Sequence, residues 1–481
     1  MKKFLLLFIA LTVLTKVEGQ THPAIERFTA DDAMRGASIS MMVRNVANDS
    51  VVFSFDPDRE VIPASVMKVV TTSMALELLG EDFCYSTSLM YDGQVQDSVL
   101  KGNLYIVGSG DPSICSSEAD SVCITQWLDS VRSKGIKQII GAVIADGSVF
   151  DDEGISMKWL REDLGSYYGQ GCYGINAFDN RYTLFLNTSK TGAKPVVDHT
   201  SPSIPSLQFH NHLITGEANQ DSNYIIGSPY SNDRFLYGVV PSGRTSFAIR
   251  GDIPDPPLFL AQYLTDRLRR EGITVIGVPV SRRQLVQEGK WNDSRRTLLA
   301  TTSSRPLKEL VRITNNVSAN LYADAFLKTI GLKYKPTGNE VVSSFDRGVL
   351  VLREALIGRK INASPLWMFD GSGLAPTDKV TARFLCDLLC YMATKSPVSS
   401  SFVESLPLAG VEGTVRTTLQ GSALQGKVRL KSGSMSRVRS YAGYITAADR
   451  RYVVAIVVNN FSCRQSQVKP AIEQLLLALP Y

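Results

Sequence analysis

Histidine is scarce in this 481-residue chain: there are four, His22, His199, His210 and His212. None stands near a Gly-x-Ser-x-Gly turn, and the sequence has no such turn, so a Ser-His-Asp hydrolase is not expected. His-Glu-x-x-His and clustered Cys/His spacings are also missing, so the sequence proposes no metal site. His210 and His212 alternate as neighbours on one face of a strand would, a plainer reading than a metal pair. The seven cysteines (Cys84, Cys115, Cys123, Cys172, Cys386, Cys390 and Cys463) include no Cys-x-x-Cys and are too sparse for a disulfide scaffold. Their odd number leaves at least one thiol unpaired in a monomer. Cys115 and Cys123 could close a short loop, and Cys386 and Cys390 stand four apart on an expected helix. Past the N-terminus no apolar run approaches the ~20 residues of a membrane helix, so membrane association is at most peripheral. Lys and Arg number 51 against 46 Asp and Glu, a net charge of +5 with no basic run, so nucleic acid is not expected as a partner. Internal repeats and low-complexity tracts are absent as well.

What is present is an ordinary globular composition, 44% hydrophobic and 20% charged, and a length that suggests roughly two to four domains. The first nineteen residues read as an export signal. Lys2 and Lys3 precede an apolar stretch, Phe4–Leu14, too short to span a bilayer, and Val17-Glu18-Gly19 puts small residues where a signal peptidase cuts before Gln20. No cysteine lies near that site, which argues against a lipid anchor; an uncleaved N-terminal anchor is the alternative. The protein is expected to be exported, to the periplasm or the cell exterior.

After the signal, Ala37–Val46 and Val51–Phe55 read as a hairpin about Asn48-Asp49-Ser50. Ser65–Leu79 has helical apolar spacing, with a serine at its start and Gly80 after it. From about 82 to 295 the chain becomes rich in short strand-like pieces, with one helix-like stretch near Ile124–Lys134 and proline-rich loops at Pro195–Pro205 and Pro254–Pro257. That region reads as a mainly β insertion, divided into two small domains. Helical patterning returns from Pro306 to Ile330 and from Ser343 to Leu356. Strands follow at Lys427–Ser434, Ser440–Ala447 and Arg451–Asn459, and a closing helix at Val468–Leu479. One sheet assembled from both ends of the chain is the economical arrangement, with 20–81 and 296–481 forming a discontinuous catalytic domain.

Three short motifs carry chemistry. In Ser65-Val-Met-Lys68 the helical spacing puts the lysine amine within reach of the serine hydroxyl. Serine is a poor nucleophile without an adjacent base, and a lysine becomes that base when desolvation or a neighbouring cation lowers its pKa. A second copy, Ser466-Gln-Val-Lys469, lacks the preceding Pro63 turn and the apolar helix, and is read as accidental. In Ser318-Ala319-Asn320 the serine can relay a proton, and the asparagine can donate to one group while accepting from another; a helix cap is the structural alternative. Lys431-Ser432-Gly433-Ser434 opens a strand, where cation and hydroxyl can bind a carboxylate and the glycine lets a peptide backbone approach. Lys190-Thr191-Gly192 matches the last motif more literally but lies in a polar stretch, and is assigned to a surface loop.

Ser-x-x-Lys, Ser-x-Asn and Lys-Ser/Thr-Gly in this order form the motif set of penicillin-recognising serine acyltransferases. The chain resembles the class C low-molecular-mass penicillin-binding proteins, D-alanyl-D-alanine carboxypeptidases with endopeptidase activity. The resemblance covers nearly the whole mature chain. It includes Gly108–Pro112, Asp370-Gly-Ser-Gly-Leu374, Leu406–Thr414 and Tyr441–Tyr444, and the long interval between the first two motifs. It implies an α/β (α+β) fold: a transpeptidase-like domain with a five-stranded antiparallel sheet flanked by helices, carrying the large insertion. It implies no cofactor, and as partners peptidoglycan peptides and β-lactam antibiotics. Residue by residue, it makes Ser65 the acylated nucleophile, Lys68 its base, and Ser318 and Asn320 the groups that pass a proton to the leaving D-alanine and orient substrate. Lys431, Ser432 and Gly433 become the carboxylate-binding strand, with the N–H groups of Ser65 and Ser434 as oxyanion hole. Asp163, in Trp159…Asp163…Tyr167-Tyr168, is implied to meet the free amine of the peptide's diamino acid.

Three positions depart from the family pattern. Ala319 replaces a common Asp. Ser432 replaces the commoner Thr and keeps the hydroxyl. Ala375-Pro376-Thr377 stands where some members carry an Arg for the diaminopimelate carboxylate, which leaves the stem peptide open. A non-hydrolytic wall-binding or β-lactam-sensing protein, and a β-lactamase or esterase on the same fold, are the alternatives. The insertion argues against the last two, and the full motif set argues for an enzyme.

Overall fold

The computed structural model describes residues 22–116, 122–335 and 341–479; the expected export signal at 1–19 lies outside the described residues. The most apolar strand of the chain, Tyr452–Val458, is buried throughout, as a strand covered on both faces must be. It belongs to β5 (Arg450–Asn459), the middle of a five-stranded antiparallel sheet. The others are β1 (Ser38–Asn45), β2 (Val51–Phe55), β3 (Val428–Met435) and β4 (Val438–Ala447), in the order β3-β4-β5-β1-β2. Both ends of the chain therefore meet along β1 and β5, with Met41 opposite Ile456.

The period-two alternation of strand side chains divides two cores between the faces of this sheet. Ile39, Met41, Val43, Val454 and Ile456 point to α1 (Pro23–Ala30) and the closing helix α7 (Gln465–Leu477). Met42, Val453, Ala455 and Val457 point to a larger core that includes five longer helices. These are α2 (Met67–Leu79), α3 (Leu307–Val317), α4 (Asn320–Gly331), α5 (Ser344–Gly358) and α6 (Ala382–Thr394). Cys386 and Cys390 stand one turn apart on α6, as their spacing suggests.

The insertion is strand-rich but not wholly antiparallel: Leu104–Val107 pairs in parallel with Val143–Asp146. Two apolar clusters organise it, one around Trp127, Leu264 and Leu268, the other around Tyr182, Leu236 and Ile249. Thr297–Ser303, just beyond the expected boundary at 295, pairs antiparallel with Ser86–Tyr91 of the insertion. The proline-rich loop expected at Pro254–Pro257 is corrected: Pro256 and Pro257 open a helix running to Arg270, capped by the Asp255 carboxylate on Leu258 N–H at 3.1 Å. Proline suits a first helical turn because the missing N–H has no partner there in any case. Lys190-Thr191-Gly192 is an exposed turn. Cys115 and Cys123 are both buried, with their sulfurs 3.8 Å apart.

Candidate active site

Between β2 and α2 the chain makes a strained turn. Ala64 holds φ at +48°, a left-handed conformation that costs a residue with a side chain about 1–3 kcal/mol. Its neighbours hold it there. The Ser440 hydroxyl of β4 donates to the Pro63 carbonyl at 2.6 Å. Gly373 packs so closely that an added Cβ would lie 2.0 Å from the Ala64 carbonyl oxygen. Ser65 follows in a single 3-10 turn, Ala64–Val66. Helix α2 takes Val66 as its N-cap without a side-chain cap, so the Ser65 hydroxyl does not cap the helix and is left to interact elsewhere.

That hydroxyl accepts from Lys68 Nζ at 3.0 Å. Lys68 is fully buried and also donates to Asn320 Oδ1 at 2.6 Å and to the Ser372 carbonyl at 2.7 Å. Burial lowers its pKa to about 8, against the opposing pull of Asp324, Asp370 and Asp378. Asp324 lies one turn beyond Asn320 on α4 and accepts from Gly371 N–H at 2.8 Å. Its own burial, with Asp370 beside it, pushes its pKa well above the carboxylate range and so weakens its hold on the ammonium.

Ser318 ends α3 in the left-handed region, φ 61° and ψ 41°. The turn brings its hydroxyl to Lys431 Nζ, which donates to it at 3.0 Å. Asn320 opens α4, and its amide donates to the Tyr168 carbonyl at 2.8 Å. Lys431, fully buried on β3, also donates to the Ser432 carbonyl at 2.7 Å. Desolvation first, then the proximity of Lys68 and Arg439, depress its pKa well below that of a free lysine; a carboxylate arriving beside it would supply the missing counter-charge. The Ser432 hydroxyl pairs with that of Thr414 at 2.8 Å. At Gly433 an added Cβ would lie 2.2 Å from Ser440 Oγ and 3.0 Å from Ser65 N, so the strand lies directly against the Ser65 turn. Ser434 follows, exposed, at the end of that contact. Segments far apart in sequence thus present one constellation: a serine on a buried low-pKa amine, a second serine on a second lysine, and a strand edge beside them.

Residues 21–479 match the description of a peptidase family. The chain belongs to the D-Ala-D-Ala carboxypeptidase 3 (S13) family. It is a serine carboxypeptidase of the D-alanyl-D-alanine type. It is 27% identical over 461 residues to a D-alanyl-D-alanine carboxypeptidase of Actinomadura sp., covering 91% of this chain and 80% of that protein. To the D-alanyl-D-alanine carboxypeptidase DacB of Haemophilus influenzae it is 26% identical over 440 residues, covering 89% and 86%. The crystal structure of penicillin binding protein 4 from Haemophilus influenzae shares its fold, with a TM-score of 0.80 at 22% identity over 95% of this chain and 98% of that one.

Elsewhere in the carboxypeptidase, Asp163 ends a 3-10 turn, buried, with Oδ2 unpartnered. Burial raises its pKa. The second Ser-x-x-Lys does not assemble: Ser466 is exposed, and Lys469 donates to the Thr417 hydroxyl at 2.8 Å. His210 and His212 stack on Phe235 and Tyr237 of the insertion.

Two supporting groups escaped the motif reading. Asp370 accepts from the N–H groups of Ser372, Gly373, Leu374 and Ala375 and from Trp159 Nε1 at 2.7 Å, and so shapes the loop whose Ser372 carbonyl faces Lys68. The Asp-Gly-Ser-Gly-Leu run signalled a tight loop, but not where it would face. Thr414 had no signal beyond lying in a stretch that resembles the family.

Proposed function

We propose that this carboxypeptidase cleaves the D-Ala-D-Ala bond of peptidoglycan stem peptides through an acyl-enzyme on Ser65. Neutral Lys68 takes the Ser65 proton as Oγ attacks the carbonyl. The N–H groups of Ser65 and Ser434 receive the oxyanion, a contribution of about 3–4 kcal/mol per donor in other enzymes. Ser318, in contact with Lys431, passes a proton to the leaving D-alanine, and water then releases the product. Asn320 orients the substrate amide, Lys431 and Ser432 hold the terminal carboxylate, and Gly433 admits the peptide backbone. The observation that carries this reading is the three-way contact of buried Lys68 with Ser65, Asn320 and the Ser372 carbonyl.

The unpartnered Asp163 oxygen supports a role in receiving the free amine of the diamino acid, and the same site would then accept a cross-linked peptide as an endopeptidase substrate. Penicillin would acylate Ser65, since a β-lactam carries a reactive carbonyl and a carboxylate in similar relation; a Haemophilus influenzae relative of the same fold is described in complex with a β-lactam. Export to the periplasm or cell exterior follows from the N-terminal sequence and the wall substrate. The proposed division is a catalytic domain of 20–81 and 296–481, lending the strand Thr297–Ser303 to the insertion's sheet, and two small domains within 82–295.

Mass spectrometry after incubation with benzylpenicillin, and separately with a stem pentapeptide, tests the reading. A penicilloyl adduct on Ser65 with release of D-alanine is expected, and Ser65→Ala should lose both. An adduct that persists in Ser65→Ala and disappears in Ser466→Ala would overturn the choice of nucleophile. Asp163→Ala should slow turnover of peptides bearing the free amine while sparing penicillin acylation; equal losses on both would remove Asp163 from substrate recognition.

A further inference from the structure

Helix α4 carries a buried lysine that the three motifs do not use. Asn320, Asp324 and Lys328 follow one another at intervals of four along it, so they share one face. At about 1.5 Å of rise per residue, Lys328 lies about 12 Å along the axis from Asn320. Its side chain is fully buried. The ammonium donates to the Glu153 carbonyl at 2.5 Å and to the Cys172 carbonyl at 2.9 Å, and Asp151 Oδ1 lies 3.9 Å away. Those two carbonyls are the two ends of one loop. Cys172 N–H closes it on the Gly154 carbonyl at 2.7 Å, so residues 153–172 leave the α4 face and return to it. The loop carries Asp163 and Tyr168. Farther along it, the Ser156 hydroxyl donates to the Phe369 carbonyl at 2.9 Å, and Asn320 donates to the Tyr168 carbonyl at 2.8 Å. Helix α4 therefore grips the loop twice, at its base through Lys328 and beside the second motif through Asn320.

We infer that Lys328 is the positioning residue of a peptide-recognition loop: it fixes residues 153–172, and Asp163 with them, at a set distance from Asn320. The inference rests on the proposed reading in which Asp163 receives the free amine of the diamino acid. One rigid helix carries both Asn320 and the anchor of the loop. The group that orients the reacting amide and the group that selects the side chain are thereby kept in register. A lysine suits this task, because three donors on one nitrogen serve two carbonyls and face a carboxylate at once. Without the ammonium, the two carbonyls would lose a buried partner, and an unsatisfied buried acceptor is costly, so the base of the loop would shift toward water. The far side of the loop stays held by the insertion, where Gly227 N–H donates to the Leu164 carbonyl at 2.9 Å and Asp252 N–H to the Gly165 carbonyl at 3.1 Å. Loss of Lys328 therefore displaces the loop without unfolding it. The reacting groups keep their own contacts, since Lys68 holds Ser65, Asn320 Oδ1 and the Ser372 carbonyl independently of Lys328. Benzylpenicillin carries no side-chain amine for the loop to recognise, so its reaction is spared.

The test compares wild type with Lys328→Met, which keeps the side chain's length and removes its donors, and with Lys328→Gln, which keeps a donor for one carbonyl. D-alanine release is measured on a stem pentapeptide with a free side-chain amine and on the same peptide acetylated there. Benzylpenicillin acylation is read in parallel, as is limited trypsin cleavage at Lys158 and Arg161, both exposed on the loop. Lys328→Met should raise KM for the free-amine peptide on the order of tenfold while kcat changes by less than about threefold, the signature of lost binding without lost chemistry. Lys328→Gln should fall between. The acetylated peptide and benzylpenicillin should react alike with all three proteins, within about threefold. Cleavage at Lys158 and Arg161 should quicken on the order of fivefold or more relative to cleavage elsewhere in the chain, as local loosening requires. Unchanged KM with unchanged cleavage, or equal losses on both peptides and on penicillin, would overturn the inference. If wild type does not distinguish the two peptides, the Asp163 reading falls and the trypsin result decides the anchor by itself: quicker cleavage in Lys328→Met keeps it, and unchanged cleavage removes it.

Discussion

Lys68 and Lys431 are two fully buried lysines in one site. Burial disfavours the charged form of each, and that decides the pH behaviour. The Lys68 pKa, lowered to about 8, means that below this pH the amine carries the proton that prevents it from accepting another. Acylation by benzylpenicillin should therefore rise about tenfold per unit below pH 8 and level off above it. Stopped-flow acylation rates across about pH 6 to 10 check this, and a flat or falling profile would remove Lys68 as the base.

At the scale of elements, the site depends on how closely β3, the Ser65 turn and the Asp370 loop approach one another. Gly433 and Gly373 are the points of closest approach, each with no room for a Cβ. Gly433→Ala should push β3 from Ser65 and lower the acylation rate on the order of a hundredfold, since misplacing reacting groups by ~1 Å costs that much. The same rate as wild type, measured with fluorescent penicillin, would mean the strand can yield without disturbing the turn. Ser440 holds the turn from the same strand pair, opposite Gly433 in register. The strain at Ala64 is therefore carried by the sheet.

For the whole molecule, the insertion is a structural partner of the catalytic layers. Asn320 donates to the Tyr168 carbonyl, and Lys328 of α4 donates to the Cys172 carbonyl at 2.9 Å. Both contacts tie the helix of the second motif to the insertion, so a change in the insertion's stability reaches the site. Within the insertion, Arg234 and Asp252 form a buried ion pair at 2.9 Å, 0% and 2% exposed. Removing one member leaves the other charge buried and uncompensated, so Arg234→Ala should destabilise the fold by about 3–5 kcal/mol. Denaturant unfolding measures this, and a loss below about 1 kcal/mol, the level of an exposed pair, would show that solvent reaches Asp252.

The sequence by itself determined the main elements and the candidate reacting groups. The apolar run at Tyr452–Val458, the hairpin at its N-terminal partner and the helix after Pro63 are local patterns, each dictated by side-chain periodicity and turn chemistry. Ser65 and Lys68 stand three apart, the spacing that brings two side chains together on a helical turn. Pro256 misled the reading because a proline marks a loop and a helix start equally well until its capping partner is known. Only the tertiary structure showed which serine and lysine pair is enclosed. Ser466 and Lys469 have the same spacing but remain on an accessible face, whereas Ser65 and Lys68 are enclosed by Asn320, Ser372 and Gly433 from three distant segments. The lowered amine pKa and the unpartnered oxygen of Asp163 both come from burial or from long-range proximity. Spacing along the chain carries no information about either, because desolvation and contact depend on what the folded chain brings around a group.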